Sequence, residues 1–313
     1  MDIIKNNNKV TLPDAIIVGA AKAGTTSLFN YLTEHPNIFS PRTKEPWFFS
    51  FKNNPQSFII PHSGKKNPQE IISNEQKYFD LYSNTSKYVI DGSTSYLYTS
   101  ETTIKNIKET YGDKFDEIKI VIVLRNPIQR AWSHYMMHIR DNKTKLSFRE
   151  SISKNIIQKR LAMNGTIGYD YIGFGMYYRQ VKLFLETFSN VKIVLYDDFL
   201  NDSSSVLEQL LQFFELDHYS FKSQQKYNVS GAPKNRFYKL LSVLINKESN
   251  LKSLLRKIVP KNIIEPLTQE FKKNIYRKVE LKTEDKEKLI KIYRDDIVSL
   301  KNIINYDLQH WLK

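Results

Sequence analysis

The stretch GAAKAGTTS, residues 19–27, has the composition of a loop that binds phosphate. Gly19 and Gly24 are separated by four residues, and glycines at this spacing let a backbone turn tightly and approach an anion closely. Three hydroxyl residues follow the second glycine: Thr25, Thr26 and Ser27. The apolar run AIIV precedes the loop and LFNYL follows it. This order predicts a strand, a loop and a helix whose first N–H groups point at the anion.

The lysine of this loop is displaced from the position it takes in a nucleoside triphosphate site. In such a site a lysine directly follows the second glycine and reaches the β- and γ-phosphates, and the next hydroxyl helps to hold Mg²⁺. Here Thr25 stands in that place, and the lysine, Lys22, lies inside the loop. Lys22 would meet a group attached beyond the first phosphate without needing a metal. We therefore expect a nucleotide whose single 5′-phosphate carries a second charged group.

A second candidate site begins at Arg125, directly after the apolar run IVIVL. Asn126 and Pro127 are typical of a helix start. Ligands of α/β sheets bind at the carboxyl ends of the strands, and Arg125 follows such an end. Ser133 comes eight residues later, about two helical turns, so it could face the same anion.

The elements that must position these residues alternate between strands and helices. Because the runs are almost continuously apolar, we predict buried strands over residues 15–18, 88–90, 118–124 and 191–195. From helical periodicity we predict helices over residues 25–34, 128–139, 176–188 and 204–214. The alternation predicts an α/β protein with a P-loop-type parallel sheet flanked by helices.

The chain after residue 230 changes to helical patterns that are rich in Lys and Arg. Apolar residues repeat at helical spacing over residues 237–244 and 289–304, which is typical of core-facing helices. We interpret this part as a C-terminal basic helical region. Residues 1–313 then form a single domain, with a sheet core over about 12–220 and a helical cap over about 230–313. Residues 52–76 contain few apolar side chains and predict a long surface loop of the kind that often binds ligands.

The composition restricts the partners more than the fold. The chain has 313 residues, 47 Lys and Arg against 33 Asp and Glu, and a formal net charge of +14. This charge fits nucleic acid, an anionic membrane surface, or an anionic small molecule or glycan. The absence of cysteine excludes disulfides and thiolate metal sites and favours a reducing compartment. Because no apolar run suits a membrane anchor or a signal peptide, we expect a cytoplasmic protein.

Both phosphate motifs resemble those of the PAPS-dependent sulfotransferases. This family transfers a sulfuryl group from 3′-phosphoadenosine 5′-phosphosulfate (PAPS) to a hydroxyl or an amine. Residues 19–27 are similar to its 5′-phosphosulfate loop, and RNP at 125–127 with SHY at 133–135 is similar to its 3′-phosphate motif. The sequence most resembles the heparan-sulfate-type and bacterial carbohydrate branch. Further likenesses are KEPWFF at 44–49, DGSTSY at 91–96 and KIVLYDDFL at 192–200.

The resemblance implies how the nucleotide is held. Lys22 matches the lysine that contacts the phosphosulfate and stabilises charge on the departing phosphate oxygen. The residues that match the 5′-phosphate cradle are Ala23, Gly24, Thr25, Thr26 and Ser27. Arg125 and Ser133 match the 3′-phosphate clamp, for which the planar fork of arginine is suited. A loosely matched loop at 230–236 implies that Lys234 or Arg236 touches the nucleotide, and the family mechanism requires no metal.

The resemblance also implies a base. Glu45 matches a glutamate that deprotonates the acceptor, a task that needs a base within hydrogen-bond reach of the acceptor. His35 and His134 are alternative bases. The motifs around Glu45 imply acceptor contacts for Lys44, Ser95 and Tyr96.

One pair of residues departs from the heparan-sulfate-type pattern. Members of that branch often have Glu-Lys where this sequence has Asp91-Gly92, and their lysine contributes to the active site. Gly92 cannot supply that lysine.

The expected function is sulfuryl transfer from PAPS to an anionic glycan, a glycolipid or a small alcohol. We expect neither a nucleic-acid partner nor integral membrane association. Two other functions stay open. One is a P-loop small-molecule kinase that uses ATP and Mg²⁺, and the other is a glycan- or nucleic-acid-binding protein that uses the basic helical region.

Overall fold

The α/β fold predicted from the sequence is confirmed by a computed structural model of the chain. The structure describes residues 1–5, 7–41, 43–83, 85–221, 232–233, 276–277 and 279–313. Lys234, Arg236 and the apolar stripe at 237–244 lie outside the described residues.

The strands form one five-stranded parallel sheet and three small antiparallel pairs. In chain order they are β1 (Asp2–Lys5), β2 (Asn8–Thr11), β3 (Ala15–Gly19), β4 (Ile38–Phe39), β5 (Ile59–Ile60), β6 (Lys65–Lys66), β7 (Tyr88–Gly92), β8 (Lys119–Leu124), β9 (Val191–Leu195), β10 (Ala232–Pro233) and β11 (Tyr276–Arg277).

The α-helices flank the sheet and connect its strands. In chain order they are α1 (Thr25–Leu32), α2 (Phe48–Phe51), α3 (Glu75–Asp80), α4 (Ser95–Tyr98), α5 (Ser100–Tyr111), α6 (Pro127–Arg140), α7 (Phe148–Ser151), α8 (Lys154–Ala162), α9 (Tyr177–Thr187), α10 (Tyr196–Asn201), α11 (Ser203–Phe214) and α12 (Thr283–Ile304). Short 3₁₀ helices cover Gly112–Glu117, Ile167–Tyr169, Gly173–Gly175 and Gln309–Leu312.

The central sheet has the strand order β4-β7-β3-β8-β9. All four pairings are parallel, with Ala15 of β3 beside both Ile90 of β7 and Lys119 of β8. β3 is buried along its whole length and β8 along all but its first residue, which matches their nearly continuous apolar sequences. The predicted strands and helices of residues 15–214 are confirmed to within two or three residues at each end.

A crevice is expected between β3 and β8 from the connectivity alone. The chain leaves β3 toward β4 and β7 on one side, whereas it leaves β8 toward β9 on the other. Ligands of open α/β sheets bind at such a switch point, outside the carboxyl ends of the strands. Both predicted phosphate motifs begin here, because Gly19 ends β3 and Arg125 follows β8.

The last helix packs on the same core as the sheet. The stripe Leu289, Tyr293, Ile297, Leu300 and Ile304 of α12 is buried, as its spacing predicts, and α12 contacts α9 and α6. This packing supports the single-domain interpretation, which stays a prediction. Among the described residues, no helix is both long and apolar enough to cross a membrane.

Candidate functional site

One cleft of about 480 Å³ lies over the carboxyl ends of β3 and β8. We divide the residues that line it into three sides. The phosphate side is Lys22, Gly24, Thr25, Thr26, Ser27, Arg125, Ser133 and Tyr196. The glutamate side is Lys44, Glu45, Trp47, Asn67, Gln69 and Thr94. The α6 side is His134, His138, Arg140, Asp141 and Lys143.

The phosphate loop requires glycine where it meets α1. Gly24 has a φ of +85°, and a Cβ there would lie 2.7 Å from the ring of Tyr196. A side chain would therefore be strained and would also clash. Thr25 begins α1 directly afterwards, so the N–H groups of Thr25 and Thr26 have no partner within the helix and are open to an anion, whereas Ser27 N–H donates to the carbonyl of Gly24 at 2.9 Å.

Lys22 lies among other positive charges. Burial, together with the charges of Arg140 and Arg125, lowers the pKa of Lys22 to about 8, while the charges of Asp141 and Glu45 act in the opposite direction. An anion bound between these cations would relieve their repulsion and favour the charged ammonium. The loop is thus built to receive negative charge at Lys22.

Arg125 is held in place by three contacts. Its guanidinium lies over the ring of Tyr196, 4.7 Å from the ring centre. Nη1 donates to the carbonyl of Lys22 at 3.1 Å, and the hydroxyl of Tyr177 donates to the carbonyl of Arg125 at 3.0 Å. Nε of Arg125 is buried with no hydrogen-bond partner in the described part of the chain. Ser133 lines the same cleft, so the structure brings the two predicted phosphate motifs together.

Glu45 is positioned by two donors on one carboxylate oxygen. The hydroxyl of Thr94 donates to Oε2 at 2.9 Å and the indole N–H of Trp47 donates to it at 3.2 Å. Glu45 and Trp47 both have a φ of +59°, a region that bulky residues rarely adopt. Such backbone conformations persist where surrounding contacts enforce them, and they cluster at functional sites. Gln69 adds to these contacts by donating to the carbonyl of Glu45 at 3.3 Å.

The comparison with known protein families decides the class of the molecule. The model of a family described as the sulfotransferase family matches residues 13–220, more than half of the chain. The chain belongs to the sulfotransferase family.

Relatives of this sulfotransferase include much larger proteins. It is 25% identical over 227 residues to a bifunctional heparan sulfate N-deacetylase/N-sulfotransferase 1 of Caenorhabditis elegans, which covers 72% of this chain and 24% of the relative. It is 26% identical over 230 residues to a bifunctional heparan sulfate N-deacetylase/N-sulfotransferase 3 of Homo sapiens, covering 67% and 23%. The chain thus spans about a quarter of the length of these curated relatives.

A solved structure of similar size also matches. The sulfotransferase from Alicyclobacillus acidocaldarius has a TM-score of 0.69 and 27% sequence identity, and the match covers 97% of this chain and all of that one. The fold of this sulfotransferase therefore agrees with a solved member over nearly its full length.

Lys44 lines the cleft, and its expected contact with the acceptor stays a prediction. Its Nζ is buried without a hydrogen-bond partner among the described residues, and it lies 5.4 Å from the centre of the Phe29 ring. Burial lowers the pKa of Lys44. Burying an ammonium group without a partner is unfavourable in free energy, so an anionic ligand that binds Lys44 would stabilise its charged form.

Ser95 and Tyr96 are placed inside the sulfotransferase fold and not at the cleft, which argues against their expected acceptor contacts. Both side chains are buried. Ser50 donates to the hydroxyl of Ser95 at 2.9 Å, and Tyr96 donates to Oδ2 of Asp91 at 2.9 Å. The residue of this segment that reaches the cleft is Thr94, one position earlier, because α4 begins at Ser95 and turns the later side chains inward.

The position of Asp91-Gly92 has a structural role in this sulfotransferase. Asp91 is buried and accepts hydrogen bonds from the hydroxyls of Tyr78 and Tyr96, and burial raises its pKa to about 6. A Cβ on Gly92 would lie 3.0 Å from the ring of Phe29. The lysine that heparan-sulfate-type members often carry at this position would therefore require the Phe29 ring to shift.

Of the two alternative bases, His35 and His134, the structure places only His134 at the cleft. His35 does not line the cleft, and its ring lies 3.2 Å from the carbonyl of Asp217 and accepts from the N–H of Asn37 at 3.1 Å. His134 does line the cleft.

Several residues that line the cleft were not found from the sequence. They are Asn67, Gln69, Thr94, Arg140, Lys143 and Tyr196. Tyr196 had a signal, since it directly follows β9 within KIVLYDDFL, at the end of a third parallel strand. In the described residues no cluster of His, Asp and Glu could hold a metal ion.

Proposed function

We propose that this sulfotransferase moves a sulfuryl group from PAPS to a hydroxyl or amine of an anionic glycan, with Glu45 as base and Lys22 stabilising the leaving phosphate. The observation that supports this most is the convergence of Lys22, Glu45 and Arg125 on one cleft, from positions up to 103 residues apart.

The residues of the phosphate side fit PAPS. The glycine-dependent turn at Gly24 and the first turn of α1 suit a 5′-phosphate, and Arg125 with Ser133 suits a 3′-phosphate. Lys44 Nζ and Arg125 Nε, which are buried and have no partner among the residues that the structure describes, are further donors for anionic oxygens. When bound, PAPS supplies a sulfuryl group whose bond to the 5′-phosphate oxygen breaks as a bond to the acceptor forms.

Glu45 is suited to take the proton of the acceptor. Thr94 and Trp47 both bind Oε2, and in the described part of the chain Oε1 has no hydrogen-bond partner. One oxygen is thus fixed while the other is open to the cleft. Lys22 lines the same cleft as Glu45, so a base and a cation for the leaving group both face the space in which transfer would occur.

An anionic glycan is supported by the charge of the α6 side. Arg140 and Lys143 line the cleft on this side, and they outnumber the one carboxylate there, Asp141, with which Arg140 pairs at 2.8 Å. Asn67 and Gln69 of the long surface loop add neutral groups that can bind hydroxyls. The named activity of the matched relatives on heparan sulfate is consistent with such an acceptor. A glycolipid headgroup or a small alcohol would use the same base.

The first experiment compares ligands by thermal shift. We expect 3′-phosphoadenosine 5′-phosphate (PAP), the product of PAPS, to raise the Tm, and the shift to shrink strongly in Lys22→Ala. Stabilisation by ATP with Mg²⁺ alone would instead support a kinase. A protein that binds heparin or DNA equally well with and without Lys22 would support the binding-protein alternative.

The second experiment identifies the acceptor. Transfer of ³⁵S from labelled PAPS is measured to N-acetylheparosan, to de-N-sulfated heparin, to a sulfatide precursor lipid and to a simple alcohol. We expect the anionic glycans to be the better acceptors. A neutral alcohol that is used at least as well would show that the cations of the α6 side do not select the acceptor.

A further inference from the structure

The α6 side contains a histidine whose hydrogen-bond role is set by its neighbour. His134 is buried, and its Nδ1 lies 3.2 Å from Nη1 of Arg130. Arg130 is completely buried, and its guanidinium also donates to the carbonyl of Tyr171. A guanidinium has only donors and keeps its proton in proteins. Nδ1 of His134 must therefore accept, which leaves the ring proton on Nε2.

The Nε2–H group of His134 is directed at the cleft. His134 lines the cleft, and a Cβ placed on Gly168 would lie 3.4 Å from Nε2. In the described residues Nε2 has no hydrogen-bond partner, and the protein does not enclose this atom completely. The glycine at 168 thus leaves space in front of a donor that contacts the cleft.

The ring of His134 is neutral as well as oriented. Burial holds the pKa of His134 well below the usual range. The neighbouring His138 and the positive charges of Arg130 and Lys22 lower this pKa further in the same direction. His134 directly follows Ser133, a residue of the phosphate side, and both line one cleft with Lys22.

We propose that His134 is a neutral hydrogen-bond donor, through Nε2–H, to an oxygen of the sulfuryl group in transfer, and that Arg130 is the positioning residue that sets its tautomer. This rests on the proposed function. His134 is then not the base, because its Nδ1 accepts from Arg130 and its Nε2 carries the proton. A neutral donor stabilises negative oxygens without the desolvation cost of another cation beside Lys22.

The first test reads the tautomer directly and needs no turnover. Long-range ¹H–¹⁵N NMR spectra of the unliganded protein separate neutral Nε2–H, neutral Nδ1–H and charged imidazole rings. The chain has six histidines, so the signal lost in His134→Gln assigns the residue. We expect a neutral Nε2–H ring at pH 7. A charged ring or an Nδ1–H ring would overturn the proposal.

The second test uses two substitutions of different hydrogen-bonding capacity. His134→Phe keeps an aromatic ring and removes the donor, whereas the amide nitrogen of glutamine in His134→Gln can occupy the Nε2 position. For His134→Phe we expect kcat to fall about 10- to 100-fold, with the KM of the acceptor and the Kd of PAP within about twofold. His134→Gln should recover most of kcat. His218→Gln, an exposed histidine paired with Glu208, is the matched control.

Other outcomes contradict the proposal in distinct ways. An unchanged kcat in His134→Phe would show that the donor has no role in transfer. A raised acceptor KM at unchanged kcat would assign the donor to the acceptor instead of the sulfuryl group. Failure of the proposed function itself would appear in the unsubstituted protein, as no stabilisation by PAP and no transfer.

Discussion

The phosphate side and the glutamate side of the cleft are built in different ways. The residues of the phosphate side follow the ends of three neighbouring parallel strands, β3, β8 and β9. On the glutamate side, Glu45 takes its position from Thr94, 49 residues away, and from a backbone that holds Glu45 and Trp47 at positive φ. The sheet thus places the groups proposed to bind the nucleotide, whereas contacts between loops place the proposed base.

This difference implies that nucleotide binding and proton transfer can be separated by substitution. A substitution of Gly24 should disrupt the phosphate side, because this position has no space for a side chain. A substitution in the loops of the glutamate side should leave the geometry of the phosphate side unchanged. The glutamate side depends on a few side-chain hydrogen bonds, so its geometry should respond to single hydroxyl deletions.

The largest difference between the effect on kcat and the effect on PAP binding is expected at Glu45. Glu45→Gln removes the base while keeping the size of the side chain, so kcat should fall about 10³-fold. The Kd of PAP, measured by calorimetry, should stay within about threefold, because Glu45 lies on the other side of the cleft. A parallel loss of PAP affinity would show that Glu45 has a structural role and that the two sides are not separable.

Arg125 should give the converse result. Arg125→Lys keeps the charge but loses the fork and the stacking on Tyr196, so the Kd of PAP should rise about 10- to 100-fold. At saturating PAPS, kcat should change less than in Glu45→Gln. Arg179→Lys, on the exposed surface of α9, is the control. An unchanged Kd would exclude Arg125 from the nucleotide site.

The pH dependence tests the charge of Lys22. Its pKa of about 8 means that Lys22 is charged below pH 8 and loses its proton above it. Between pH 7 and 9 the charged fraction falls about tenfold, so the Kd of PAP should rise about tenfold, while a phosphate monoester is already a dianion there. Lys22→Arg stays charged over this range and should flatten the profile. Equal slopes in both proteins would assign the titration to another group.

The smallest effect is expected at Thr94. Thr94→Val removes one of the two donors on Oε2 of Glu45, so kcat should fall about three- to tenfold with the Kd of PAP unchanged. Thr94→Ser keeps the hydroxyl and should recover the activity. If Val and Ser reduced kcat equally, the methyl group and not the hydrogen bond would be responsible.

The sequence predicts what depends on local pattern. The apolar runs of β3, β8 and β9 identify strands buried on both faces, and the glycines and hydroxyls of residues 19–27 identify a phosphate loop. Parallel strand ends then bring Arg125 to that loop, as expected. Glu45, where the largest fall in kcat is expected, was also proposed from the sequence, through its motif.

The sequence does not show which neighbouring residue faces the cleft. Thr94, Ser95 and Tyr96 are adjacent, and only the first contributes to the lining, because the start of α4 turns the next two inward. Lys143 and Gln69 reach the cleft through the packing of loops that are distant in sequence, which no local periodicity encodes. The contacts predicted for Lys234 and Arg236 stay predictions.

The ring of Tyr196 joins two motifs that are a hundred residues apart. One part of it leaves no room for a side chain at Gly24, and its face carries the guanidinium of Arg125. Free-energy changes from substitutions at these two positions should therefore not add, with an interaction energy on the order of 0.5–3 kcal/mol in a double-mutant cycle. A single aromatic residue, contributed by the third strand end, is thus expected to make the two proposed phosphate subsites thermodynamically dependent on each other, so that a redesign of one must take account of the other.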